Sequence, residues 1–188
     1  MTALDSKNAL WHPLIRALHW VMAVLVLVLM GLGWAAETWS LSLTKVELFR
    51  WHKSLGLLTL FLVFVRLGVR LYLGRPERDD SGGTLLQNLA RLGHGMLYGL
   101  MVLMPLSGWV INSAANFPLK LFGWVSVPAI TGPDKALQAY AEFVHLGLFW
   151  IFLTLVVVHA GAAFYHHYTL RDDVLGAMAP RFRRWTDL

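Results

Sequence analysis

Several histidines lie in long apolar stretches of this sequence, where a titratable ring is costly unless it has a partner. His145 and His159 share one stretch, which has no charged residue from 143 to 170. Because they are 14 residues apart, they would lie about 21 Å apart along an α-helix and leave nearly the same face of it. His19 and His52 begin two other apolar stretches. This spacing predicts ligand sites at two depths in a membrane.

Depth along the predicted helices sorts these histidines into two pairs. His19 and His159 lie toward one side of the membrane and are called the inner pair. His52 and His145 lie toward the other side and are called the outer pair. Two imidazoles facing each other across a helix bundle suit a b-type haem, whose iron then keeps no open position. We therefore predict two non-covalent haem b groups, and His94 competes with His19 for the place opposite His159. The residues expected to pack against the haems include Leu57, Phe61, Leu148 and Phe152.

The composition narrows the chemistry further. The chain has no cysteine, which excludes disulfides, iron–sulfur clusters, thiolate metal sites and haem attached through Cys-x-x-Cys-His. A metal transporter is the main alternative, because histidines in membrane spans can also bind cations. The apolar interiors of the spans contain no Asp or Glu, so a cation path would lack charged ligands. This disfavours the transporter.

The elements that must position these histidines are membrane-spanning helices. The 188 residues are 57% hydrophobic and only 14% charged, unlike a typical soluble domain. We predict one all-α transmembrane domain over residues 1–188, a four-helix bundle with spans at about 14–36, 51–73, 90–113 and 142–168. A cleaved signal peptide is the alternative for the first span. That run is longer than a signal-peptide core and contains His19, which favours a retained helix.

Polar segments separate the predicted spans. Residues 37–53 and 74–83 are predicted as short loops, and residues 116–141 as a longer loop that lies along the interface as a lid. Pro105 is expected to kink the third helix. His12, His166 and His167 lie at the predicted inner interface, where they could carry protons to a reactant on that face.

The basic residues predict the orientation of the bundle. Most of the 16 Lys and Arg residues lie in the N-terminal segment, the second loop and the C-terminal tail. Both termini should therefore face the cytoplasm, in a multi-pass protein of the bacterial inner membrane. The basic residues adjoin apolar spans instead of forming an extended patch, so membrane lipid and not nucleic acid is the expected partner.

Three arginines have a second possible role. Arg16, Arg66 and Arg70 lie on the inner side, and Arg66 and Arg70 are four residues apart and so on one helical face. They could reach lipid headgroups, which is the commoner behaviour near the end of a span. Alternatively, they could neutralise buried anions such as haem propionates. The sequence favours neither role over the other.

Several segments together resemble the bacterial cytochrome b561 family. These segments are RALHW, RWHKSLG, VRLGVRL, LGHGMLYGLMVLMPLSGW and HAGAAFYHHY, and they span nearly all of the chain. The resemblance implies a four-helix bundle of the inner membrane with two b haems, held by the inner pair and by the outer pair. It places His94 as a haem neighbour or quinone-site residue. One departure is Arg91, because this chain has RLGH in place of HLGH, and this lowers the case for a site of two histidines there.

The resemblance also implies a function. Some members of the family are regarded as superoxide oxidases, which pass electrons from periplasmic superoxide to ubiquinone. We therefore expect an oxidoreductase that moves electrons across the membrane between a periplasmic donor, either superoxide or a redox protein, and ubiquinone. The alternative is a membrane-anchor cytochrome b subunit that works with a partner redox subunit, a dehydrogenase or a hydrogenase. Acidic residues nearly balance the basic ones on the outer side, so steering of an anionic donor would be weak.

Overall fold

The computed structural model of the protein describes residues 10–74, 84–172 and 174–179. Four long helices dominate it: α1 (Pro13–Thr38), α2 (Leu43–Leu73), α3 (Thr84–Ala114) and α4 (Lys135–Tyr165). A short hairpin of β1 (Leu119–Leu121) and β2 (Val125–Val127) connects α3 to α4, and a π-helical turn (His166–Leu170) and α5 (Val174–Met178) follow α4. All four long helices are long and apolar enough to cross a membrane. The predicted all-α, four-helix membrane fold is therefore confirmed.

The long helices pack in chain order, α1 against α2, α2 against α3 and α3 against α4. We call the end at which α1 begins and α4 ends the inner end, and the opposite end the outer end. Across the bundle, α4 meets α1 and α2 mainly through side-chain rings, such as Trp34 of α1 and Trp150 of α4 with ring centres 6.3 Å apart. The backbones on that side thus stay well separated.

A buried apolar cluster joins the four helices at mid-depth. It consists of Met22 and Val26 of α1, Val63 of α2, Leu100 and Met101 of α3, and Phe152 of α4. The cluster lies between the two histidine levels. On α4, for example, Phe152 is midway between His145 and His159 in the sequence. Leu148 packs against the cluster, whereas the expectation for Phe61 is wrong. Phe61 is 63% exposed, because it lies nine residues after His52 and therefore on the opposite face of α2.

The second helix begins earlier than the loop prediction for residues 37–53 allowed. It starts at Leu43, because the Ser42 hydroxyl accepts a hydrogen bond of 3.3 Å from the Lys45 amide and so caps the helix. Glu47 and Arg50 add an ion pair of 2.6 Å one turn later. These polar turns are stable without hydrophobic periodicity, which is why the apolar pattern alone placed the boundary too late.

The long loop predicted at 116–141 is also shorter than expected, and it contains the hairpin. Its last residues belong to α4, because the Asp134 carboxylate caps the amides of Ala136 and Leu137 at 2.8 and 3.0 Å. The amide of Phe122, in the hairpin turn, donates to the Ser54 hydroxyl at 3.0 Å. The Trp109 indole donates to the Pro128 carbonyl at 3.0 Å. The segment therefore covers the outer ends of α2 and α3, as a lid would.

Two remaining expectations concern the third helix and its approach. The helix α3 continues through Pro105 without ending. The predicted loop at 74–83 lies outside the described residues except for Gly74, which ends α2 with a φ of 72°. A positive φ of this kind favours glycine at the end of a helix.

Candidate functional site

The outer pair meets across the bundle near its outer end. The ring centres of His52, on α2, and His145, on α4, are 6.3 Å apart, and the ring planes are inclined at 75°. The two residues are separated by 93 positions in the sequence. The depth argument thus correctly placed them opposite each other.

Backbone and hydroxyl groups orient both rings of the outer pair. His52 Nδ1 lies 3.1 Å from the Leu29 carbonyl, and a carbonyl can only accept, so this nitrogen carries the hydrogen. His145 Nδ1 lies 2.8 Å from the Ser107 hydroxyl, which donates its own hydrogen to the Met104 carbonyl at 2.9 Å. His145 Nδ1 must therefore donate as well. In both rings the Nε2 lone pair is left for a metal ligand bond.

The same local arrangement holds both outer-pair rings. On α1, Gly33 follows Leu29 by one turn, and a Cβ at Gly33 would stand 3.0 Å from Cε1 of His52. On α3, Gly108 follows Met104 by one turn, and a Cβ there would stand 3.5 Å from the His145 ring. Each ring thus packs on a glycine that lies one helical turn after an orienting carbonyl. The Leu29 carbonyl bonds His52 directly, whereas the Met104 carbonyl bonds Ser107, which in turn bonds His145. The two glycines are a signal that the sequence analysis overlooked.

We expect replacement of Gly33 with Ala to weaken cofactor binding at the outer pair. The added methyl group would lie closer to the His52 ring than a Cβ atom normally lies to any neighbouring atom in a protein. The ring must therefore shift, and its bond to the Leu29 carbonyl must lengthen. Loss of such an orienting contact typically lowers metal-site affinity about 10- to 100-fold. Absorption spectroscopy of the purified variant, with haem quantified per chain, measures this effect.

Gly31 provides the matched control on the same helix. A Cβ at Gly31 has no neighbouring atom within 4 Å, so Gly31→Ala should bind as much cofactor as the original chain and form α1 at least as readily. Equal losses in the two variants would show that helix α1 and not the His52 contact is responsible.

Three histidine rings converge near the inner end. His19 of α1 and His159 of α4 have ring centres 6.2 Å apart, with planes inclined at 68°. The ring of His94, on α3, lies closer to His159, at 5.4 Å. His94 Nδ1 donates to the carbonyl of Ala90 in its own helix at 2.6 Å. The structure therefore brings together both candidates that the sequence left open.

The ring separations test whether these residues fit an iron with two axial imidazoles. Imidazole nitrogens bind transition metals at about 2.0–2.1 Å, and the ring centre lies about 1.1 Å beyond the nitrogen, so the two centres should be about 6.3 Å apart. The outer pair at 6.3 Å and the inner pair at 6.2 Å fit this geometry. The separation of 5.4 Å between His94 and His159 is too short for it. Within the described residues, no group of three or more His, Cys, Asp or Glu side chains could hold a metal ion.

Cationic side chains stack on aromatic rings beside the inner pair. The guanidinium carbons of Arg66 and Arg70 lie 5.7 and 5.8 Å from the ring centre of Tyr98, on α3. Arg70 also lies 5.6 Å from the ring centre of Trp11. Stacking of this kind turns both side chains toward the bundle. Arg66 is also close enough to act electrostatically on His19 and His159.

Buried polar atoms in the same region lack hydrogen-bond partners. They are Nε and Nη1 of Arg16, Nε of Arg66 and the hydroxyl of Tyr98, none of which has a partner among the described residues. Burial of a guanidinium group is costly without an anion. Carboxylate oxygens, such as those of a haem propionate, would supply both the charge and the acceptors that these atoms need. Tyr98 was not predicted, although it follows His94 by one helical turn and so shares its face.

One basic residue is placed at the outer pair. Lys53 follows His52 in the sequence and acts on it electrostatically. Its ammonium group is half-buried and donates to the side-chain oxygen of Asn112 at 2.7 Å, while Asn112 donates to the Phe117 carbonyl at 2.7 Å. The charge is therefore held near the outer pair by the segment that leads into the hairpin.

Comparison with known proteins matches nearly the whole chain to one family. The family model described as prokaryotic cytochrome b561 matches residues 10–181. The chain is 31% identical to cytochrome b561 homolog 2 of Escherichia coli K12, over 86% of this chain and 87% of that relative. It is 27% identical to cytochrome b561 homolog 1 of the same organism, over 87% and 93%. A protein of Yersinia pestis named probable superoxide oxidase CybB is 25% identical, over 88% and 93%.

Proposed function

This chain belongs to the prokaryotic cytochrome b561 family, and from that premise we propose that it is a di-haem cytochrome that oxidises periplasmic superoxide and reduces ubiquinone. Family membership means a bacterial multi-pass membrane cytochrome with b-type haem and a role in electron transport. The observation that carries the finer proposal is the presence of two histidine pairs at two depths, each with the ring separation of a bis-imidazole iron.

The proposed ligands are His52 and His145 for the outer haem and His19 and His159 for the inner haem. When bound, haem b would supply reversible one-electron transfer. The chain's part is to hold two imidazoles at each level, with Nε2 toward the cofactor in the outer pair, and to keep the two sites apart with the mid-depth apolar cluster. His94 is proposed as a neighbour of the inner haem and not as a ligand, because of its shorter ring separation.

Arg16, Arg66 and Arg70, with Tyr98, are proposed to hold the propionate groups of the inner haem. The unpartnered buried nitrogens and the Tyr98 hydroxyl support this role. Positive charge beside an iron also favours its reduced state, because the ferric form carries one more positive charge. The cluster would therefore raise the potential of the inner haem.

The proposed orientation puts the inner end in the cytoplasm of the bacterial inner membrane. It rests on the excess of Lys and Arg in the terminal segments and the second loop. Superoxide would then reach the outer pair from the periplasm, and ubiquinone would bind at the inner end. Two superoxide ions, one quinone and two protons give two oxygen molecules and one quinol. The charge of Lys53 beside the outer pair would attract the anionic donor.

The test is quinone reduction by the purified, haem-loaded protein when superoxide is generated in the solution. We expect quinol to form at about half the rate of superoxide consumption, following the stoichiometry above, and this activity to be lost in His52→Ala. Haem should amount to two per chain. If fully haem-loaded protein reduces no quinone under superoxide, the proposed reaction is wrong. A redox subunit that co-purifies in a fixed ratio would then favour the membrane-anchor alternative.

We expect replacement of Arg66 with Gln to lower the midpoint potential of the inner haem by about 30–80 mV. A unit charge at a distance on the order of 9 Å is worth about 2 kcal/mol at an effective dielectric of 20, and tenfold in a one-electron equilibrium corresponds to about 59 mV. A potentiometric titration that resolves the two haems measures the shift.

Arg70→Gln is the matched control for the potential. Arg70 stacks on the same Tyr98 ring, but only Arg66 acts electrostatically on both rings of the inner pair. The control should therefore shift the inner haem less, and the outer haem should not shift in either variant. Equal shifts of both haems in Arg66→Gln would contradict the placement of the cluster.

A further inference from the structure

A histidine and an aspartate pair at the inner end, beyond the proposed ligands. His166 Nδ1 lies 2.5 Å from a carboxylate oxygen of Asp172. The chain reverses between them through the π-helical turn and through Arg171, whose φ of 54° is unusual for a residue other than glycine. The Asp172 amide returns to the His166 carbonyl at 3.2 Å. Irregular backbone of this kind is often found at functional sites, where it positions a side chain.

His166 follows the two histidines of α4 and is the first residue of the π-helical turn. It lies seven residues, or about two helical turns, after His159, so it leaves nearly the same face about 10 Å nearer the inner end. The side chains of His166 and Asp172 are 36% and 39% exposed. Both side chains are therefore accessible at the inner end, and His166 lies on nearly the same face as the proposed haem ligands of α4.

The C-terminal segment folds over the inner end beside this pair. The Trp20 indole donates to the Met178 carbonyl at 2.8 Å, and Leu175 and Ala177 are buried. The ring of Trp20 lies 5.4 Å from that of His19. This apolar segment covers Trp20 on one side of the inner pair, and the α5 segment itself has no titratable side chain. His166 and Asp172 thus form a polar connection at the edge of the cover.

We propose that His166 transfers protons from the inner solvent to a quinone bound at the inner end, and that Asp172 is its positioning residue. This inference rests on the proposed function. Each quinone takes up two electrons and two protons to form quinol. The carboxylate of Asp172 accepts from His166 Nδ1–H, so Nε2 is the atom that releases a proton to the quinone and then takes one from solvent. The bond to Asp172 fixes the orientation of the His166 ring.

Other groups near the pair must be separated from it in any pH profile. From α4, the ring of Tyr165 lies 6.4 Å from that of His166. The turn itself contributes His167, Tyr168 and Arg171, and His167 is buried against the Tyr168 ring at 4.8 Å. Among the described residues, His166 is the histidine of this group that is both solvent-accessible and bonded to a carboxylate.

The test separates electron entry from quinone reduction in His166→Gln and Asp172→Asn. Asparagine keeps the acceptor that caps the Val174 amide at 3.1 Å but removes the charge. Stopped-flow spectroscopy should show haem reduction by superoxide at the original rate, and reoxidation of the reduced haems by a short-chain ubiquinone slowed about 100-fold or more. The solvent deuterium isotope effect on reoxidation should rise, and free imidazole should restore part of the rate to His166→Ala.

Tyr72→Phe is the control, because Tyr72 is an exposed polar side chain in the last turn of α2. It should reoxidise at the original rate. Unchanged reoxidation in both His166→Gln and Asp172→Asn, with the original protein active, would overturn the relay alone. Slow reoxidation that imidazole cannot restore and that shows no larger isotope effect would also overturn it, in favour of a structural cap. If the original protein reduces no quinone, both proposals fail.

Discussion

Replacement of His145 with Ala is expected to reduce the haem content from two per chain to one and to abolish superoxide-driven quinone reduction. The outer pair is the site whose ligands are best fixed, because carbonyl and hydroxyl groups hold Nδ1 of both rings and leave Nε2 for the cofactor. Without His145, the remaining ring of His52 has no partner at the 6.3 Å separation. Haem quantification and reduced-minus-oxidised spectra measure the loss.

Ser107→Ala is the matched control for this prediction. It removes the hydroxyl that accepts from His145 at 2.8 Å and keeps the ring itself. We expect this variant to retain two haems but to bind the outer one about 10- to 100-fold more weakly, as is typical when an orienting contact is lost. A His145→Ala protein that still holds two haems per chain would contradict the outer-pair assignment.

Replacement of His19 with Ala is expected to remove the inner haem, whereas His94→Ala should keep it. The separation of 6.2 Å between His19 and His159 fits an iron between two imidazoles, and the 5.4 Å between His94 and His159 does not. The loss of the inner haem should be nearly complete, because a haem held by two imidazoles loses one of its two metal–ligand bonds to the protein when one histidine is removed. Any haem that remains should no longer be low-spin. Haem quantification with electron paramagnetic resonance of the oxidised proteins distinguishes the variants.

The outer haem provides the internal reference in both inner-end variants. Its signal should stay unchanged, because the mid-depth cluster that includes Val63 and Phe152 lies between the two levels. In His94→Ala, we expect a change in the potential of the inner haem but no change in its stoichiometry. Loss of the inner haem in His94→Ala, with His19→Ala unaffected, would exchange the roles of the two residues.

The number of membrane spans, and the depth and face of each histidine on its own helix, followed from the sequence. The 14-residue interval between His145 and His159 determines their relative depth and face as soon as the segment is helical. The uncharged apolar runs identified four spans, and the structure has four helices able to cross a membrane. Helix ends were less accurate, since α2 and α4 begin in polar turns that Ser42 and Asp134 cap. Those turns lie outside the apolar pattern.

The contacts between helices were decided by the tertiary structure. Depth placed both His19 and His94 opposite His159, but only packing gives the two separations of 6.2 and 5.4 Å. The same is true of Gly33 beneath the His52 ring and of Tyr98 beneath two arginines. Periodicity determines the angle at which a side chain leaves its own helix. The distance between two helices depends on how all the side chains between them pack together. The sequence pattern of one helix does not contain this information.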